Sequence, residues 1–133
     1  MSNVLYPKAK EDFLSGNIDM SSDTIKISLV DTDIYTYSSA HEDRADVSDS
    51  AVIATATLSS KTVTSGVFDA ADVTYSTVTG ANCEALIIFK DTGTQSTSRL
   101  IAYIDSATGL PILPNGGDIT VRFSDGASKI FAL

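Results

Sequence analysis

Between residues 24 and 30 the apolar side chains Ile25, Ile27 and Leu29 alternate with Lys26 and Ser28, the cleanest period-two pattern in the chain. Such alternation sends successive side chains to opposite faces and predicts a strand with one face in a core. Residues 51–58 repeat it, with Val52, Ala54, Ala56 and Leu58 set against Ile53, Thr55 and Thr57. Two later runs are apolar throughout: Ala85-Leu86-Ile87-Ile88-Phe89 and Leu100-Ile101-Ala102-Tyr103-Ile104. Runs of strand length with no polar relief predict strands covered on both faces. The link from Lys90 to Arg99 opens with Asp91-Thr92-Gly93 and continues in Ser, Thr and Gln. The pair therefore reads as a long hairpin in the middle of a sheet, and the stretch from Glu84 to Phe123 as the part around which the rest is organised.

Weaker signals fill in the remainder. Ile119, Val121 and Phe123 alternate with Thr120 and Arg122, which predicts a strand at the sheet's margin. Residues 61–69 read as a short hairpin turning at Ser65-Gly66, residues 73–78 as a Thr-rich strand, and residues 129–132 as a last strand. That last strand is expected to form a hairpin with residues 119–123 through Ser124-Asp125-Gly126-Ala127. Two further turns, Thr108-Gly109-Leu110-Pro111 and Pro114-Asn115-Gly116-Gly117-Asp118, flank the short apolar Ile112-Leu113. One helix is predicted, from Pro7 to Ser15, with Pro in its first turn and Gly16 just past its end. Lys8 and Lys10 lie early and Asp12 late, so its charges oppose the helix dipole and it depends on docking Phe13 and Leu14. Together these elements predict a mainly β fold, an antiparallel β-sandwich or barrel of about eight short strands with one short N-terminal helix.

A chain of 133 residues is the size of one domain, read here as residues 1–133 with an N-terminal arm at 1–23. The second irregular region, residues 31–50, carries Asp31, Asp33, Glu42, Asp43, Asp46 and Asp49 among few apolar groups. A loop that long is expected to bind a partner or be ordered by one. The net charge of −8 and pI of about 4.3, with nine scattered Lys and Arg, argue against nucleic acid and anionic membranes as partners. They favour a basic or mixed-charge protein surface. Cys83 is the single cysteine, which excludes an intrachain disulfide or a cysteine metal cluster and suits a small core residue. The first residues show no charged-then-apolar leader, and no apolar stretch approaches the ~18 residues of a membrane span, so the expected compartment is a cytoplasm.

Candidate chemistry is sparse. Asp91-Thr92-Gly93 after an apolar strand has the form of an aspartic-protease turn, where two carboxylates share a proton across a dimer. Lys90 stands directly before it and no apolar-apolar-Gly partner loop accompanies it, so an ordinary Asx turn is the expectation. His41, the only histidine, excludes a site needing two imidazoles in one chain; with Glu42 and Asp43 it is read as a solvated loop residue. Asp31 and Asp33 lack the glycine and closing Glu of a calcium loop, and Asn115-Gly116-Gly117-Asp118 lacks the lysine and helix of a phosphate loop. Tyr35 and Tyr37 share one face of an extended segment, suiting packing, protein docking or sugar stacking. No enzyme, cofactor or metal is expected.

Several stretches resemble a group of small virion proteins of tailed bacteriophages. They include Leu5-Tyr6-Pro7-Lys8, Leu14-Ser15-Gly16, Ser22-Asp23-Thr24-Ile25-Lys26, Tyr35-Thr36-Tyr37-Ser38 up to His41, and Gly66-Val67-Phe68-Asp69-Ala70. The likeness continues through Glu84-Ala85-Leu86, Lys90-Asp91-Thr92-Gly93-Thr94, Leu100-Ile101-Ala102-Tyr103-Ile104, Gly109-Leu110-Pro111 and Pro114 to Ile119. The resemblance implies a head decoration or cement protein, bound to the major capsid protein on the outside of the shell and assembled in the host cytoplasm. It carries no catalytic residues. On this reading Leu5, Tyr6, Phe13, Leu14, Tyr35, Tyr37 and His41 are the capsid-contact candidates, and the protein is expected to be a homo-oligomer, a trimer before a dimer. Alternatives are another virion part, tail or adaptor, and a carbohydrate-binding module using Tyr35 and Tyr37. If those tyrosines dock a partner, replacing both with alanine should leave the melting temperature almost unchanged.

Overall fold

The two uninterrupted apolar runs pair with each other, Ile87 opposite Tyr103 and Ile88 opposite Ala102, and form the middle of the molecule. In the computed structural model, which describes residues 3–105, 110–123 and 130–132, the elements follow in chain order. They are β1 (Val4–Leu5), α1 (Pro7–Ser15), β2 (Ile25–Val30), β3 (Val52–Thr57), β4 (Thr62–Thr64), β5 (Val67–Asp69), β6 (Val73–Tyr75), β7 (Ala85–Lys90), β8 (Leu100–Ile104), β9 (Ile119–Val121) and β10 (Phe131–Ala132). The main sheet has five strands in the order β1-β8-β7-β2-β3; β10-β5-β4 form a second sheet and β6-β9 a two-stranded ribbon. All of these pairings are antiparallel. The fold is thus mainly β, and the open five-stranded sheet decides against a barrel.

Register explains how the main sheet is covered. Ile27 and Leu29 of β2 lie opposite Ile88 and Leu86 of β7 and opposite Ala56 and Ala54 of β3. That face meets the smaller elements: Tyr75 of β6 donates its hydroxyl to the Ile27 carbonyl at 2.8 Å, and Ile130 and Phe131 line a cavity of about 140 Å³ with Leu5, Ala102 and Ile104. Lys26, Ser28 and Val30 share the other face with Phe89, Ile87 and Ala85. Ser28 is buried there as completely as its apolar neighbours, and its hydroxyl bonds that of Thr55 at 2.7 Å, which satisfies the group without water. Ile25, Ile27, Leu29, Ile87 and Ile88 are all buried, each contributing about 1.5–3 kcal/mol by leaving water.

Three expectations are corrected. Residues 119–121 form a strand, but it pairs with β6 (Val73 opposite Val121, Tyr75 opposite Ile119) and not with the margin of the main sheet. The alternation was real, since Val73, Tyr75 and Val121 are buried and Thr74 and Thr120 face out; an alternating strand does not specify its partner. β10 pairs with β5, not with residues 119–123, and the proposed turn at 124–127 lies outside the described residues. Finally, α1 does not dock Leu14, which is 91% exposed. It buries Ala9 and Asp12 instead, one turn apart, while Phe13 is half-buried against Phe131 at 6.2 Å between ring centroids.

The turn chemistry agrees with the sequence reading. Ser65 and Gly66 both take positive φ, 53° and 79°, the backbone that a two-residue hairpin needs between β4 and β5. Gly16 closes α1 at φ 78° while its own N–H and that of Asn17 reach back to the Phe13 and Asp12 carbonyls. Nothing lies within 4 Å of where a Cβ would stand on Gly16. Gly16→Ala should therefore cost about 1 kcal/mol through backbone strain alone, read as a lower urea midpoint with an unchanged slope.

Candidate functional site

The arm and the 31–50 loop meet over one end of β8 in a cluster of rings. Tyr103 projects from β8; Tyr37 stacks near it at 5.3 Å and Tyr35 at 6.1 Å, and Tyr6, the residue before α1, packs on Tyr37 at 5.1 Å. The backbone N–H of Tyr6 donates to the Ile101 carbonyl at 2.9 Å, which fixes the arm's entry beside β8. A hydrogen-bond chain runs through the cluster: the Tyr6 and Tyr35 hydroxyls are 2.8 Å apart, and the Tyr35 hydroxyl is 2.8 Å from His41 Nδ1. Burial raises the Tyr6 phenol well above its ordinary range and pushes Tyr35 up to about 12, although the bond from Tyr6 pulls Tyr35 back.

A charged clasp lies beside the rings. Arg99, the residue before β8, places Nε 2.5 Å from Asp12 Oδ2 of α1 and one terminal nitrogen 3.1 Å from Asp43 Oδ1 of the loop. Glu42 stands 3.8 Å from the same nitrogen and 3.8 Å from Lys8 Nζ, so arm, loop and strand share one group of charges. The loop backbone continues the contact: Arg44 N–H donates to the Ser98 carbonyl at 2.7 Å and Leu100 N–H to the Glu42 carbonyl at 3.0 Å. Arg44 itself is buried, giving bonds to the Val47 carbonyl and Asp49 while its guanidinium sits 5.9 Å from the Phe89 ring centroid. Desolvation lifts the Asp43 carboxyl despite the pull of Arg99, whereas backbone N–H groups of Glu42 and Asp43 hold Asp46 low. The loop expected to await a partner is thus seated on its own sheet, with one-turn helices at Arg44–Asp46 and Asp49–Ala51.

This geometry sorts the contact candidates. Tyr6 and Tyr35, at 0% and 3% exposure, are enclosed and cannot touch another surface, which corrects their assignment. The Tyr6 hydroxyl bonds that of Tyr35, which in turn meets His41 Nδ1, so two polar aromatics become core residues. Tyr37, Phe13, Leu5 and His41 are half-buried, and Leu14 alone of the set is turned fully outward. The sequence reading missed Asp12, Arg99 and Tyr103 as the groups that join arm, loop and strand; an acid on the buried face of an amphipathic helix is the signal that could have pointed to the first.

The other motifs remain apart from this region. Asp91 sits 3.0 Å from Lys26 Nζ and accepts the Gly93 N–H at 3.1 Å, an ion-paired Asx turn. Lys26 and that N–H hold its carboxyl below the usual carboxylate range. Asp31, Asp33 and Glu84 bring carboxylate oxygens within 4.8 Å of one another and could hold a hard cation; Glu84 also accepts the Thr32 N–H and Asp31 the Asp33 N–H, bonds that brace the turn. Cys83 is buried, which pushes its thiol up to about 11. Among the described residues no helix is long and apolar enough to cross a membrane. No protein-family model matches the chain, and no curated protein matches it significantly.

Two outcomes follow. Tyr35→Ala, which a docking role would leave almost without effect on stability, should instead cost about 3–5 kcal/mol in chemical denaturation, as for other large buried rings. Asp91→Asn should cost about 1 kcal/mol at neutral pH. Because the folded-state carboxyl is depressed, its stabilisation is present above the unfolded carboxylate range and is lost as pH falls. The gap between wild type and variant should therefore close under acid in a series of thermal melts.

Proposed function

We propose that this protein is a non-enzymatic structural component of a tailed-phage virion, a head decoration or cement protein bound to the major capsid protein on the shell exterior. The near full-length resemblance to small phage virion proteins supports the role. The structural observation that carries it is the presentation of Leu14. This apolar side chain, 91% exposed, stands at the end of a glycine-capped helix that Arg99 ties to the central sheet through Asp12. An apolar group held out on a rigid support loses little entropy on docking, which is how a small contact contributes usefully to affinity. Each bound copy then favours the shell state it recognises by mass action, and closed symmetry, a trimer before a dimer, suits lattice positions. The sugar-stacking alternative loses its platform, because Tyr35 is enclosed.

The test mixes purified protein with expanded and unexpanded shells and measures binding to each. Saturable attachment to expanded shells alone is expected; attachment to tail tubes or to glycans instead would refute the proposal. Leu14→Asp should weaken shell binding by about tenfold or more while leaving the melting temperature nearly unchanged, as for a surface substitution.

A further inference from the structure

The hydroxyl chain from Tyr6 to His41 has a direction, and only one protonation state of the imidazole permits it. Tyr6 is fully buried, and among the described residues its hydroxyl has one hydrogen-bond partner, the Tyr35 oxygen. Tyr35 is 3% exposed and its hydroxyl meets Tyr6 on one side and His41 Nδ1 on the other. Both hydroxyl protons find acceptors when Tyr6 donates to Tyr35 and Tyr35 donates to a bare Nδ1. Once Nδ1 carries a proton it must donate to the Tyr35 oxygen. Two hydroxyl protons then compete for the single contact between the tyrosines, and one is left in the core without an acceptor. A buried donor without a partner is far costlier than a bond exchanged with water.

From this count we propose that His41 is a pH-sensitive latch: the neutral imidazole, bare at Nδ1, keeps the N-terminal arm seated on the 31–50 loop, and its protonation loosens the arm. Tyr35 and Asp46 of the loop face the imidazole; behind Tyr35 stand Tyr6 of the arm and Tyr103 of β8, with Tyr37 against both, and Glu42 follows His41 in the chain. Tyr6 and Tyr35 stay protonated at every physiological pH because burial raises both, so the imidazole is the member of the chain that changes state. Asp46 attracts an imidazolium, but it is exposed and already accepts the Glu42 and Asp43 N–H groups, so water screens that attraction. The donor that protonation strands is in the core, where nothing screens it, and the core term decides the sign. Arm seating is therefore fullest while Nδ1 is bare and falls once it carries a proton. The inference does not rest on the proposed role at the capsid.

Native-state hydrogen exchange on the full chain reads it directly. Protection factors for the α1 amides of Lys10 to Phe13, corrected for intrinsic rates, should fall about tenfold between about pH 7.5 and about pH 5. His41→Gln keeps an acceptor for Tyr35 but cannot titrate, so its protection should be flat over the same range. Asp43 and Asp46 remain in that variant, which separates their titration from that of the imidazole. A flat wild type, or an equal fall in His41→Gln, would overturn the latch. Should that variant fail to fold, nitrogen NMR on the wild type decides: at neutral pH the proton must be on Nε2, and a proton on Nδ1 would refute the chain's direction.

Discussion

A strand that is apolar on both faces has to be covered twice, and that constraint shapes this molecule. Ala85 to Phe89 are all buried in the middle of the main sheet, so each face of β7 needs its own layer. The small sheet and the ribbon supply one. Among the described residues no second sheet covers the other face; it is closed by residues 31–51, through Tyr35 and Tyr37 on Tyr103 and Arg44 over Phe89. A segment with little regular structure thus does the work of a layer. Its backbone is kept in order by hydrogen bonds to residues 98–100 and by Arg99.

The same constraint explains what was legible in the residues and what was not. Patterns confined to one segment were read well: the Pro7–Ser15 helix with its glycine cap, the β2 alternation, the Ser65-Gly66 turn and the β7–β8 pair all stand in the structure. Each depends on backbone geometry or on the period of a single element. Partner choice was not legible, because Val121 alternates in the same way whether its neighbour is β6 or another strand. Nor was the cover of the second face. Six acids made residues 31–50 look like a loop that awaits a partner, yet Tyr35 and Val47 are buried, and Asp43 and Asp49 belong to ion pairs with Arg99 and Arg44.

The contact candidates divide along the same line. Tyr6 and Tyr35 were chosen by residue type and by resemblance, and neither says which way a side chain turns. In the fold they form a hydrogen-bonded pair inside the protein, and the surface they left is represented by Leu14. Arg99 shows why acidity in sequence is a poor guide to acidity at a surface. One guanidinium draws in Asp12 and Asp43 from places 87 and 56 residues away, so two of the chain's acids are spent on holding its own arm and loop.

β4 and the tip of its hairpin with β5 lie at the other extreme of involvement. Every residue of β4 is exposed, the strand pairs on one side only, and its tip residues already adopt the left-handed backbone of a tight turn. A peptide spliced between Ser65 and Gly66 would lengthen only the exposed tip, leaving buried Phe68 of β5 on Phe131, and loop closure grows only slowly with length. That tip is the natural graft site for a displayed epitope, with the clasped arm and its latch left undisturbed.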